Sequence, residues 1–308
     1  MFKNTIIKTD DVINYFTSYI NQDKPLFFSR VGGSDANIVD YYYNNKNLIN
    51  DKSWYESSID IVKMYNGYFD FANNKNNFQK YLEDMIVYYK NSDDCFFMST
   101  HWINENDMFL QYIYENKTII AYHFIESIKP FIKSFSDWAK NKKILIISPL
   151  SKSIEYQFKN KDKLYIDYKF PEFELKTYNT KITYNSVNDT KENLGLDTNN
   201  YFEECERMAE EISKIDFDIA LLSCASYGMF LGNYIKYNMN KKAIYFGGVL
   251  NVLFNIYGGR YSDDYYKSAG LNLEYQIDSF ENNEIEHIKG GKDKPSEGLN
   301  AYFGRRKK

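Results

Sequence analysis

The 308-residue chain reads as an α/β protein, Rossmann-like, with a mostly parallel sheet flanked by helices. Three observations predict this. Apolar runs of strand length recur at residues 26–29, 143–147, 217–222 and 243–246. Each run is followed by a turn of small polar residues, and each turn by an apolar pattern that reads as a helix. Units of this kind gather their turns at the carboxyl edge of a parallel sheet, the edge at which open α/β sheets bind ligands.

The elements follow in order. Asp10 reads as the cap of a first helix, with Val12, Ile13, Phe16, Tyr19 and Ile20 on one face. Pro25 ends it and opens the first strand. After Gly33, Ser34 is expected to cap a helix carrying Ile38, Val39 and Tyr42. Residues 50–92 look helical and aromatic, broken at Asn73-Asn74 and Asn76-Asn77. Residues 95–98 and 118–121 read as short strands, and Pro130 is expected to start a helix bearing Phe131, Phe135 and Trp138. From Lys143 strand, turn and helix alternate to Gly258-Gly259, which is expected to end the helix begun at Val249. Residues 161–193 are less regular, whereas Tyr201, Cys205, Met208, Ala209 and Ile212 mark an amphipathic helix. Gly290-Gly291 and Pro295 signal a polar mobile tail over about 285–308, or a lid. The whole, 1–308, reads as one domain with a helical insertion over about 45–140.

Composition narrows the function classes. A net charge of −4 gives nucleic-acid binding no overall electrostatic support. No apolar run approaches the roughly 18 residues of a membrane-spanning helix. The N-terminus has no signal-peptide pattern. Cys95, Cys205 and Cys224 are odd in number and widely spaced, which points to a reducing compartment, the cytoplasm. His101, His123 and His287 lack metal-ligand spacing.

The turns hold the candidate chemistry. Gly247-Gly248 stands between strand and helix, where glycine lets a ligand approach the backbone and leaves helical N–H groups to meet an anion. Arg30-Val31-Gly32-Gly33-Ser34-Asp35 combines a fixed cation that can grip phosphate with a carboxylate that can ligate Mg²⁺ or Mn²⁺ or orient a sugar hydroxyl. An N-capped helix with a surface Arg–Asp pair would leave the same pattern. Ser148, Ser151 and Ser153 form a hydroxyl-rich helix start, which ordinary capping also explains. Cys224 follows a buried strand without a nearby His in its unit and reads as structural. Neither the Walker pattern nor G-x-G-x-x-G is present.

Taken in order, the turns resemble the GT-D-type glycosyltransferases. The segment Phe28–Asp35 is similar to that family's Arg-x-Gly-Asp-Gly-Glu, and Ser148-Pro149 with Ile154 and Gln157 to its Pro…Ile…Gln helix. Phe170-Pro171-Glu172-Phe173 resembles its Leu-Pro-x-Phe element. Residues 217–222 with Tyr227-Gly228 resemble its Phe-Asp-Val-Ala-Leu…Tyr-Gly unit. Residues 242–248, then Phe254, Ile256, Gly258 and Arg260, resemble its Gly-Gly…Gly-x-Arg end. The resemblance implies transfer of a sugar from a nucleoside diphosphate sugar, uridine diphosphate-linked, to a glycan or glycoprotein. It implies a donor pocket of Arg30, Gly32, Gly33, Ser148, Ser153, Gln157, Tyr227, Gly228, Gly247 and Gly248, with Asp35 as the catalytic carboxylate. Two positions depart from the pattern. Gly33 replaces the first acid of the Asp-x-Glu pair, leaving Asp35 alone to hold Mn²⁺ or Mg²⁺, so a weak metal site or none is expected. Asn255 stands where the family often has Gly. The alternative is a non-catalytic module that binds nucleotide sugar or glycan.

Overall fold

The central strands carry apolar residues at consecutive positions because helices cover both faces of their sheet. The computed structural model describes residues 5–6, 9–97, 117–121, 128–183, 190–259 and 261–281. Its elements are β1 (Thr5–Ile6), α1 (Thr9–Ile20), β2 (Leu26–Val31), α2 (Gly33–Asn44), α3 (Lys52–Tyr65), α4 (Lys75–Asn91), β3 (Asp94–Phe97), β4 (Ile119–Ala121) and α5 (Ile128–Ala139). There follow β5 (Lys143–Ser148), α6 (Ser151–Lys159), β6 (Glu174–Asn179), α7 (Tyr201–Ile212), β7 (Ile219–Leu222), α8 (Tyr227–Tyr237), β8 (Lys242–Tyr245), α9 (Val249–Leu253) and α10 (Asp263–Ser268). The strands form one sheet in the order β1-β4-β3-β2-β8-β7-β5-β6, and every pair described is parallel.

Side chains alternate between two cores with the period of two that a strand imposes. Phe27, Val31, Leu145, Ile147, Ala220, Leu222, Ala243 and Tyr245 enter the core under α2, α3, α4, α7 and α8. Leu26, Phe28, Ile144, Ile146, Ile219, Leu221, Ile244 and Phe246 enter the other, under α1, α5, α6, α9 and α10. Each fully buried Leu, Ile or Phe contributes about 1.5–3 kcal/mol relative to exposure. The chain therefore leaves β7 for β8 through α8 on the first face, and leaves β5 for β6 through α6 on the second. Adjacent strands β5 and β7 thus form a topological switch point, the kind of place at which open α/β sheets bind ligands. The exits from β2 and β8 diverge in the same way, into α2 and α9.

Several expected details differ. The helix after β2 is capped by the extended residue Gly32, not by Ser34; Ser34 instead donates from its hydroxyl to Asn66. The first helix starts at Thr9 and contains Asp10, and α5 starts two residues before Pro130. Helix α9 stops at Leu253, well before Gly258, because Asn255 takes φ 54°. That left-handed conformation is one that Asn tolerates and Gly favours, so Asn at this position keeps the backbone a Gly would supply. The stretch of about 45–140, expected as a helical insertion, holds α3, α4 and α5 but also β3 and β4, which are strands of the sheet. Residues 98–102, Arg260 and the expected tail over about 285–308 lie outside the described residues. Among those described, no helix is long and apolar enough to cross a membrane.

Candidate functional site

Register brings the strand ends level. Phe28 pairs with Ile244, Tyr245 with Leu222, and Leu222 with Ile147. Continuing these pairings sets Arg30, Phe246, Ser223 and Ser148 in one row across the carboxyl edge. From β2 to β5 the row crosses three strand spacings, about 14 Å at ~4.8 Å each.

At the β2 end, Arg30, Gly32, Asp35 and Gly247 come together. Arg30 is 5% exposed, and its guanidinium covers Gly247. A Cβ on Gly247 would lie 2.1 Å from Arg30 Nη1, and the residue has φ 62°. Glycine is needed there twice over, for the positive φ and for the close approach. The guanidinium also lies 5.8 Å from the centre of the Tyr245 ring. Gly248 has φ −61° and begins α9 without strain. Gly33 is the first residue of α2.

Asp35 sits in the first turn of α2, where the helix dipole favours a negative charge. Its carboxylate folds back over Gly32, so that a Cβ on Gly32 would lie 2.3 Å from Asp35 Oδ1. Tyr89 donates its hydroxyl to Asp35 Oδ2 at 3.3 Å. Burial raises the carboxyl from 3.8 to about 6, against the opposing pull of Arg30, the backbone N–H groups of Asp35 and Ala36, and Tyr89. Desolvation outweighs a nearby cation, leaving a carboxyl poised to exchange a proton near neutral pH.

Beside it three loops are tied together. Ser34 donates to Asn66 Oδ1 at 2.9 Å, and Ser226 donates its hydroxyl to the Asn66 carbonyl at 2.8 Å. Thr183 donates to the Gly67 carbonyl at 2.7 Å and shares a 3.0 Å hydrogen bond with the Tyr227 hydroxyl.

At the β5 end the expected donor residues have protein partners. Ser148 is fully buried, and its hydroxyl accepts from Leu150 N at 3.1 Å. Gln157 donates to the carbonyls of Asn255 and Tyr275 at 3.1 and 2.9 Å, which fastens α6 to the segment after α9. Ser153 donates from N (3.1 Å) and from Oγ to the carboxylate of Glu281. Tyr227 is buried and stacks on Tyr201 at 5.1 Å. Gly228 makes room for Tyr245, since a Cβ would lie 2.7 Å from that ring. Gln157, Tyr227 and Gly228 thus meet protein groups, whereas Arg30, Gly32, Asp35 and Gly247 form a polar cluster at the carboxyl edge.

A divalent ion does not fit this cluster. Asp35 is its only carboxylate, one oxygen is taken by Tyr89, and the Arg30 charge bears on it. No group of three His, Cys, Asp or Glu that could hold a metal occurs among the described residues. Cys224 and Cys205 are buried, and burial raises both thiols well above their ordinary value, so neither is a ready nucleophile. A cleft of about 400 Å³ beside Lys24, Trp138, Asp216 and Lys242 opens at the opposite, amino edge of the sheet, away from these groups.

Sequence reasoning missed Tyr89, Asn66, Thr183, Tyr245 and Glu281. Asn66-Gly67 is a turn signal that marks one of them. The others approach only through contacts of long sequence separation, and no local pattern announces those. Comparison with known protein families, with curated proteins and with solved structures finds no match.

Proposed function

We propose that the protein transfers a sugar from a nucleoside diphosphate sugar, uridine diphosphate-linked, to a glycan or glycoprotein acceptor in the cytoplasm. The ordered turns that resemble the GT-D-type enzymes suggest the reaction. The observation that carries it is the buried Arg30–Asp35 cluster at the carboxyl edge, with Asp35 held at about 6. In this reading Arg30 balances the charge that grows on the departing diphosphate. Asp35 takes the proton of the acceptor hydroxyl as its oxygen bonds to the anomeric carbon and the carbon–oxygen bond to diphosphate breaks. No metal takes part, because the cluster offers one encumbered carboxylate. The free, buried Cys205 and Cys224 support the reducing compartment.

The test is release of nucleoside diphosphate from a panel of nucleotide sugars with mixed glycan acceptors, for wild type, Arg30→Ala and Asp35→Asn. Release by wild type alone is expected. Donor binding without release would assign the protein as a non-catalytic binding module. No binding of any nucleoside diphosphate or its sugars would overturn both readings.

A further inference from the structure

The start of α6 lies at the β5–β7 switch point and is already occupied by a carboxylate. Glu281, 1% exposed, accepts from Ser153 N at 3.1 Å through Oε1 and from Ser153 Oγ through Oε2. Ser153 Oγ in turn accepts from Phe280 N at 2.9 Å. No Lys or Arg among the described residues is ion-paired with Glu281. Its charge is therefore held by one backbone N–H, one hydroxyl and the positive end of a nine-residue helix. These are the groups with which helix starts bind phosphate.

Four buried polar side chains on β7, α9 and the segments after β6 and before Glu281 are unmatched. Strand alternation turns Ser223, at the end of β7, toward the face that carries α6 and α9. Its hydroxyl is buried and has no hydrogen-bond partner among the described residues. Asn251 Oδ1 in α9, Thr180 Oγ1 just past β6, and Ser279 Oγ beside Phe280 are in the same condition. Buried polar atoms are rarely left unpaired in a native protein unless something else meets them.

The segment that brings Glu281 reaches the start of α6 from Ile277. It is anchored at Ile277, which accepts from Tyr257 N at 2.8 Å and bridges to Ile256. Beyond that, the Phe280 ring touches Tyr156 edge-on at 5.1 Å, with both residues nearly half exposed.

We infer that Glu281 is a built-in occupant of an oxyanion subsite at the start of α6, and that a phosphate group of the ligand displaces it. The identification of that oxyanion with the donor's phosphate rests on the transferase reading. The subsite itself does not. When Glu281 leaves, Ser153 N and Oγ pass to the incoming phosphate, and Ser223, at the end of the strand beside β5, offers a further hydroxyl. Ligand binding and release of residues 278–281 are then one equilibrium, and the occupant lowers apparent affinity by the fraction of time it is in place.

The test is calorimetric titration of the full chain with inorganic phosphate, inorganic diphosphate and uridine diphosphate. Glu281→Gln should bind at least one of them about tenfold or more tighter than wild type, and adding Ser153→Ala should reverse the gain. Tightening with inorganic phosphate alone identifies a free oxyanion, and tightening with uridine diphosphate alone identifies the donor. Hydrogen exchange on wild type needs no variant: at saturation the Phe280 amide should lose protection while the Ser153 amide keeps it. Equal or weaker binding by Glu281→Gln, or Phe280 protection unchanged at saturation, would overturn the inference. Absence of sugar transfer with the tightening intact would overturn only the transferase reading.

Discussion

Replacing Asp35 by Asn should make the protein more stable at neutral pH while removing the proposed sugar transfer. Burial holds the Asp35 carboxyl at about 6 in the folded chain, against an ordinary value of 3.8. The folded state therefore binds this proton more tightly than the unfolded state. The associated stability is fully present below 3.8 and is lost as pH rises through about 6. At 1.36 kcal/mol per pH unit, the difference is about 3 kcal/mol. Asn copies the neutral carboxyl and keeps an oxygen for the Tyr89 hydroxyl. Asp35→Asn should therefore match wild type below about pH 4 and exceed it by about 3 kcal/mol above about pH 7. For a chain of this length, at ~2.1 cal/mol/K per residue, that is roughly 5 °C in Tm. Thermal melts of both proteins across this pH range measure it. A gap that does not change with pH, or a variant less stable at pH 8, would refute the reasoning, since Arg30 and the helix start would then outweigh burial. Gain of stability with loss of function is the usual mark of a carboxylate kept for chemistry.

Four further outcomes follow from the same cluster and its surroundings. Gly247→Ala should cost about 1–3 kcal/mol and weaken donor binding, because its Cβ strains a positive φ and pushes Arg30 aside. Gly248→Ala, at φ −61°, should change stability by less than about 1 kcal/mol, and equal effects in chemical denaturation would show that Arg30 does not depend on Gly247. Gly228→Ala should cost about 1–3 kcal/mol by crowding Tyr245 yet leave nucleotide affinity unchanged; a selective loss of affinity would return Gly228 to the binding site. Arg30→Ala should weaken nucleoside diphosphate binding more than Arg30→Lys, with both below wild type. Wild-type affinity should persist in chelator, and a strict Mg²⁺ or Mn²⁺ requirement in the titration would mean that carboxylates outside the Asp35 turn hold the ion.

The sequence by itself determined the class of fold and the edge at which to look. Four apolar runs followed by small-residue turns are local patterns, and local sterics and periodicity suffice to read them. They predicted β2, β5, β7 and β8 and brought Arg30, Gly32, Asp35 and Gly247 forward together. The end of α9 was not among them, since the sequence placed it at Gly258-Gly259 and the chain ends it at Leu253, ahead of the left-handed Asn255. Only the tertiary structure decided which turn residues remain available to a ligand. Gly228 looked like a close-approach glycine, and the group that approaches it is the Tyr245 ring. Gln157 looked like a donor contact, and its partners are Asn255 and Tyr275, each about a hundred residues or more away in sequence. The raised proton affinity of Asp35 was equally invisible, because it arises from burial between α2, α4 and the sheet edge. A residue's type fixes what it can bind, but its partners are set by packing across strands that meet only when the chain has folded.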